Sequence, residues 1–147
     1  MIKAIPYGSL CLAYLDPYNL KYLSFSIIKA LAALPKIDFV VHFSLMDLNR
    51  NIDIELGERD RFSDASPDWK IREKKESISK ANLGTWFFND WTNLIKQLGF
   101  KFSEEIPLIT NSQSGALYYL VFFSRNEFPD KIWNDIAKGD TLGLFDN

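Results

Sequence analysis

The sequence is poor in the residues from which metal and redox sites are built. It has one cysteine, Cys11, and one histidine, His42. A lone thiol excludes an internal disulfide framework and any cysteine-built metal site, and a lone imidazole excludes a histidine cluster. Neither a Gly-x-Gly-x-x-Gly pattern nor a Walker loop occurs, so the chain has no recognisable phosphate cradle. No apolar run approaches the ~20 residues of a membrane-spanning helix. Net charge is −2, from 17 basic and 19 acidic residues, so no global positive field exists to hold nucleic acid; a local basic patch stays open. The start, Met1-Ile2-Lys3-Ala4-Ile5-Pro6, does not follow a signal-peptide plan. The expectation is a soluble chain in a reducing, cytoplasmic setting, without membrane contact.

What is abundant is core material. Hydrophobic residues make up 47% of the 147 positions and aromatics 15%, with 12 Phe, 6 Tyr and 4 Trp. That suits a single globular domain. Leu10-Cys11-Leu12-Ala13-Tyr14-Leu15 is a short continuous apolar run closed by Asp16-Pro17, which predicts a strand buried on both faces, as in a parallel sheet. Leu20, Leu23, Ile27, Leu31 and Leu34 recur at helical spacing, with Asn19 or Ser24 as the start and Pro35 beyond the end. Ile37 to Phe43 reads as a second buried strand, so the opening third is a βαβ unit. Residues 50–80 hold eight basic and eight acidic side chains, punctuated by Gly57, Ser66 and Pro67. They read as a solvated loop with some helix, anchored by Phe62 and Trp69.

Helical spacing returns at Phe87, Trp91, Leu94, Ile95 and Leu98, with Gly99 at the C-terminal cap. Residues 100–110 are strand-like, and Leu117 to Phe123 is the clearest strand in the chain. The polar link Asn111 to Gly115 between them predicts an antiparallel hairpin. A last helix is expected from Pro129, using Ile132, Trp133 and Ile136. The predicted fold is therefore α/β, with about four strands in the order β-α-β-(insertion)-α-β-β-α. A mixed sheet with one antiparallel strand near its edge fits this order. It forms a single partial domain over 1–138, followed by a tail over 139–147.

Two clusters are candidates for chemistry. Asp16, Pro17 and Tyr18 leave the carboxyl end of the first parallel strand, where open α/β sheets bind ligands. The Asp16 carboxylate can accept hydrogen bonds, Pro17 fixes the backbone and Tyr18 offers a flat face; a plain strand-ending turn is the alternative. Ser44, Asp47, Asn49, Arg50 and Asn51 leave the second strand, and are expected near Asp16. There Arg50 would hold a phosphate or carboxylate; a helix-capping polar loop is the alternative. His42, inside an apolar strand, reads as a satisfied core histidine, and Cys11 as a small core residue. Trp86, Trp91, Tyr118, Tyr119 and Trp133 read as core rather than as base-stacking platforms.

The segments "LCLAYLDPYNL" (Leu10 to Leu20), "KIDFVVHFSLMDLNRN" (Lys36 to Asn51) and "ALYYLVFFSRN" followed by "KIWNDI" resemble the three-Cys-motif partner family, TcmP. The likeness runs from about residue 10 to residue 137. The family is similar to S-adenosylmethionine-dependent methyltransferases of the Rossmann type. The resemblance implies the C-terminal half of such a sheet. Asp16-Pro17-Tyr18 would match the Asp/Asn-Pro-Pro-aromatic motif that accepts a target amine and stacks on its ring, with one proline where that motif has two. The family's glycine-rich donor-binding segment would lie before residue 1. The expectation is thus a substrate-side half, inactive without a donor-binding half and binding no cofactor alone. S-adenosylmethionine is implied only when that other half is supplied.

The first strand, apolar on both sides, also lacks a neighbour. A separate chain, a second copy or a sequence lost by truncation would provide one. Two other functions stand beside this one. One is a non-enzymatic module that docks a partner through that edge. The other is a nucleic-acid-associated protein using Arg50, Arg59, Arg61, Lys70, Arg72, Lys74 and Lys75, against which the interspersed acids argue.

Overall fold

The computed structural model describes residues 5–103 and 105–126. The expected helix from Pro129 and the tail over 139–147 lie outside the described residues. The chain forms an α/β fold with a mixed five-stranded sheet. Strand β1 (Cys11–Leu15) is followed by helix α1 (Phe25–Leu31), strand β2 (Ile37–Ser44) and helix α2 (Leu45–Gly57). Helices α3 (Trp69–Glu76) and α4 (Leu83–Gln97) come next, then β3 (Lys101–Phe102), β4 (Leu108–Thr110) and β5 (Ala116–Ser124).

β1 runs parallel to β2, with Cys11 opposite Ile37 and Leu15 opposite Val41, as a βαβ unit requires. β5 lies antiparallel on the other side of β2. β3 and β4 both pair with β5, at opposite ends of its far side. The predicted strand over 100–110 is therefore two short pieces. The antiparallel strand expected near the edge is instead enclosed, because β3 and β4 close its outer side. The hairpin of β4 and β5 is present. Asn111 Oδ1 accepts from the amides of Gln113 and Gly115, so an Asx turn reverses the chain.

The apolar runs predict burial of β1 and β2 on two faces. The structure buries one. Along β2, Ile37, Phe39, Val41 and Phe43 are buried, while Asp38, Val40, His42 and Ser44 are half-exposed. The buried set joins Val121 and Phe123 of β5, Ile28 of α1, Leu48 and Ile52 of α2, Trp69 of α3 and Phe87, Trp91 and Ile95 of α4 in one cluster. A continuous apolar run shows that both faces are apolar; whether both are covered depends on where the helices go. Among the described residues they gather on one side. Trp91 is the hub, within ring contact of Phe43, Phe88, Phe102 and Phe123.

The predicted helix over Leu20 to Leu34 is broken. A 3-10 turn spans Leu20–Tyr22 and α1 starts only at Phe25, because Leu23 and Ser24 take non-helical backbone angles. Leu20 and Leu23 are buried all the same, and the Leu20 amide is fastened by the Asp47 carboxylate of α2 at 2.9 Å.

The charged segment 50–80 is mostly helical rather than a solvated loop. Leu48, Ile52 and Glu55 form a buried stripe on α2, and Phe62, Ala65 and Trp69 carry it onward. The charges are accommodated by pairing. Glu55, fully buried, accepts from Arg61 Nε and the Arg61 amide, both at 2.7 Å. Asp90 of α4 takes a fork from Arg72 Nε at 2.6 Å and a second Arg72 nitrogen at 2.8 Å, plus the Ser66 hydroxyl at 2.7 Å. This fork, helped by Trp69 against Phe87, holds α3 on α4, and it also raises the Arg72 guanidinium above its ordinary pKa, chiefly through the Asp90 hydrogen bond. After β5, Arg125 donates to the carbonyls of Ala32 and Leu98, closing the C-terminal ends of α1 and α4.

Asp90 is buried and Arg72 half-exposed, so removing the arginine strands a buried carboxylate. Arg72→Ala should therefore lower unfolding stability by about 3 kcal/mol, read as a shifted urea midpoint. Arg72→Leu combined with Asp90→Leu should recover most of that loss; equal loss in the single and double variants would show that the pair is not what matters.

Candidate functional site

The parallel register sets the site. Leu15 lies opposite Val41, so the residue after β1 emerges beside the next residue of β2. Asp16 thereby meets His42, with Oδ1 2.9 Å from Nδ1. From the same face of β1, the Tyr14 hydroxyl reaches His42 Nε2 at 2.7 Å. The imidazole also stacks on Tyr118 of β5, with centroids 4.2 Å apart and planes inclined by 19°.

A carboxylate can only accept, so Nδ1 of His42 carries the proton and Nε2 offers its lone pair to the Tyr14 hydroxyl. The bonds run in one direction, from Tyr14 through His42 to Asp16. The Tyr14 phenol is held above its ordinary pKa of 10.0, first by burial and then by the charges of Asp16 and Tyr118. It is a donor at neutral pH. His42 is occupied at both nitrogens and has no free lone pair with which to act as a general base. Asp16, an exposed carboxylate, is the terminal acceptor and keeps Oδ2 for a ligand.

These residues wall an open cleft of about 420 Å³, lined by Asp16, Pro17, Tyr18, His42, Ser44, Met46, Leu117 and Tyr118. Tyr18 is 92% exposed. Asp16 and Pro17 also border a hollow of about 200 Å³ beside Tyr22 and Ile27. A carboxylate acceptor between the exposed Tyr18 and the half-buried Tyr118 suits a flat ligand that carries an N–H donor.

Of the residues singled out in the sequence, Asp16, Pro17, Tyr18 and Ser44 come together here. Ser44 caps α2 through its hydroxyl, which accepts from the Asp47 amide at 3.2 Å. Asp47 instead bonds the Leu20 amide and, at 2.8 Å, Asn51. Asn49 faces α4, where its side chain lies 2.9 Å from the position a Cβ on Gly84 would take. Arg50 is exposed on α2, and neither it nor Asn49 lines the cleft. The cause is the immediate start of α2 at Leu45, whose turn carries successive side chains away from β1 at about 100° per residue.

His42, which the sequence presents as a core residue, is half-exposed on the uncovered face. Tyr14 and Tyr118 also belong to the site. The signal for His42 is the two-residue alternation in β2, which places it with Asp38 and Ser44 rather than with Phe39 and Phe43.

The basic strip considered for nucleic acid is partly spent. Arg61 is committed to Glu55, Arg72 to Asp90, and Lys70 to the Arg59 carbonyl and Asp60. Among the described residues, no group of three or more His, Cys, Asp or Glu could hold a metal ion, and no helix is long and apolar enough to cross a membrane. The chain matches no protein-family model, no curated protein and no solved structure.

A long-range 15N–1H spectrum at neutral pH should show His42 protonated at Nδ1; protonation at Nε2 would overturn the direction of the relay. Because folding raises the Tyr14 pKa, the linked stability is intact below about pH 10 and falls as pH rises through the folded value. Tyr14→Phe should flatten that alkaline loss in a melting series.

Proposed function

We propose that this chain is the substrate-side half of a methyltransferase-like protein of the three-Cys-motif partner kind. The observation that carries the reading is the position of Asp16-Pro17-Tyr18. It follows an edge strand that is parallel to its neighbour, and it opens on a cleft at the carboxyl end of the sheet. In this reading Asp16 accepts a hydrogen bond from the N–H of the target group. Tyr18 and Tyr118 bracket the target's flat face. His42 donates to the carboxylate and holds it in place, and Tyr14 fixes the imidazole that does so.

The described residues do not fit S-adenosylmethionine. A donor grip needs backbone amides presented by a glycine turn, and the glycines with positive φ, Gly8 and Gly99, are not among the residues of the cleft. The donor belongs to this proposal only as the ligand of a second half, seated beside β1. What this chain contributes is binding and orientation of the acceptor, which places the reacting atom without adding a base.

Titration calorimetry of S-adenosylmethionine into the chain alone should give no binding heat, and micromolar affinity would overturn the division of labour. The DNA preceding the Met1 codon should encode a glycine-rich strand and turn, in phase or as a neighbouring frame. In the assembled pair, Asp16→Asn should cut methyl transfer about 100-fold with little change in donor affinity.

A further inference from the structure

The outer side of β1 has no strand partner among the described residues. The Cys11 amide donates to the Lys36 carbonyl at 2.8 Å, so Cys11, Ala13 and Leu15 turn their backbone groups toward β2. Leu12 and Tyr14 turn theirs outward. Among the described residues β1 pairs with β2 alone, which leaves those outward groups without a strand partner. Natural edges are blunted by lysine, proline or a bulge. β1 has none of these from Cys11 to Leu15. It is also flanked by apolar groups on both faces. Leu12 and Tyr14 are 66% and 58% exposed on one, and Tyr22 and Ile27 are 59% and 52% exposed beside the hollow on the other.

We propose that two copies of the chain associate by antiparallel pairing of β1 with β1 about a two-fold axis through Ala13. The occupant is fixed by self-complementarity. In that register Leu12 of each copy lies opposite Tyr14 of the other, and the outward amides and carbonyls of both residues meet as reciprocal hydrogen-bonded pairs. Asp16 falls opposite Leu10, so no like charges meet. Ala13 faces Ala13 across the axis, and its small side chain lets the strands approach. On the open face Leu12 packs beside Tyr14 of the second copy, while Tyr22 and Ile27 of the two copies flank the axis on the other. The association closes at two copies. The opposite rim of the sheet consists of β3, with 2 residues, and β4, with 3, both too short to template a further chain.

This inference goes beyond the methyltransferase reading and does not need it. An edge holds one strand at a time, so the dimer is the state of the chain alone and a donor-binding half would displace it; either can fail alone.

Sedimentation equilibrium of the full chain at micromolar concentration should give twice the 17.0 kDa of one copy. Leu12→Lys should abolish the dimer while the melting profile stays cooperative. Ala13→Cys in a Cys11→Ser background should form an intermolecular disulfide under mild oxidation, because facing residues in a non-hydrogen-bonded pair lie about 4.5 Å apart at Cα. The unsubstituted chain should not, since its Cys11 lies opposite Leu15 of the second copy. A wild-type monomer overturns the proposal. So does a dimer that survives Leu12→Lys and leaves the thiols introduced by Ala13→Cys unpaired. A Cys11 to Cys11 disulfide in the wild type also overturns it, because a register centred on Ala13 places Cys11 opposite Leu15.

Discussion

The fold rests on the alternation along β2. Its residues Ile37, Phe39, Val41 and Phe43 are sealed beneath helices, and the residues between them look out over a face that those helices do not cover. A strand has only two sides, so a shift of one residue would send His42 into the aromatic cluster around Trp91 and bring Phe43 to the open face. Burying the imidazole without its partners, while exposing a phenylalanine, would cost several kcal/mol. The register that places the core therefore also places the site. Asp16 meets His42 because β1 is locked to the same strand by parallel hydrogen bonds, and Tyr118 meets it because β5 is locked from the other side.

Much of this is legible in the sequence. The βαβ unit, the helix ending at Gly99 and the hairpin with its Asn111 turn each carry a local signature that tertiary packing has no reason to override. The position of Asp16 follows from strand order alone. The segment from 50 to 80 misleads because its charge density hides a narrow apolar stripe. Leu48, Ile52, Phe62, Ala65 and Trp69 are spread over more than twenty positions and three helical pieces, so no short window shows them together. Its charges also read as solvated, whereas Glu55 and Asp90 are buried and are reached by arginines nearer the surface. Asp90 meets Arg72 from 18 positions away, and composition cannot reveal such a pairing.

The second cluster is dispersed for a different reason. The sequence shows polar residues after a strand, and a loop there would keep them all near Asp16. A helix beginning at Leu45 does not. It leaves Ser44 and Met46 on the cleft, uses Asp47 to tie down the Leu20 turn, and sends Asn49 to α4. His42 escapes notice because Ile37 to Phe43 reads as one apolar run. With every second residue bulky and aliphatic or aromatic, the intervening Asp38, His42 and Ser44 are the informative positions.

The edge and the site are joined through Tyr14. Its backbone faces outward from β1, and its hydroxyl holds Nε2 of His42. A strand with a free edge frays more readily than one paired on both sides, and fraying at Tyr14 would release the donor that keeps the imidazole oriented toward Asp16. Whatever strand lies against β1 therefore stiffens the relay without touching the cleft. The sequence of β1 reflects both demands. Leu12 and Ala13 favour close pairing, and Tyr14 brings to the same edge a polar tip that reaches inward to the site.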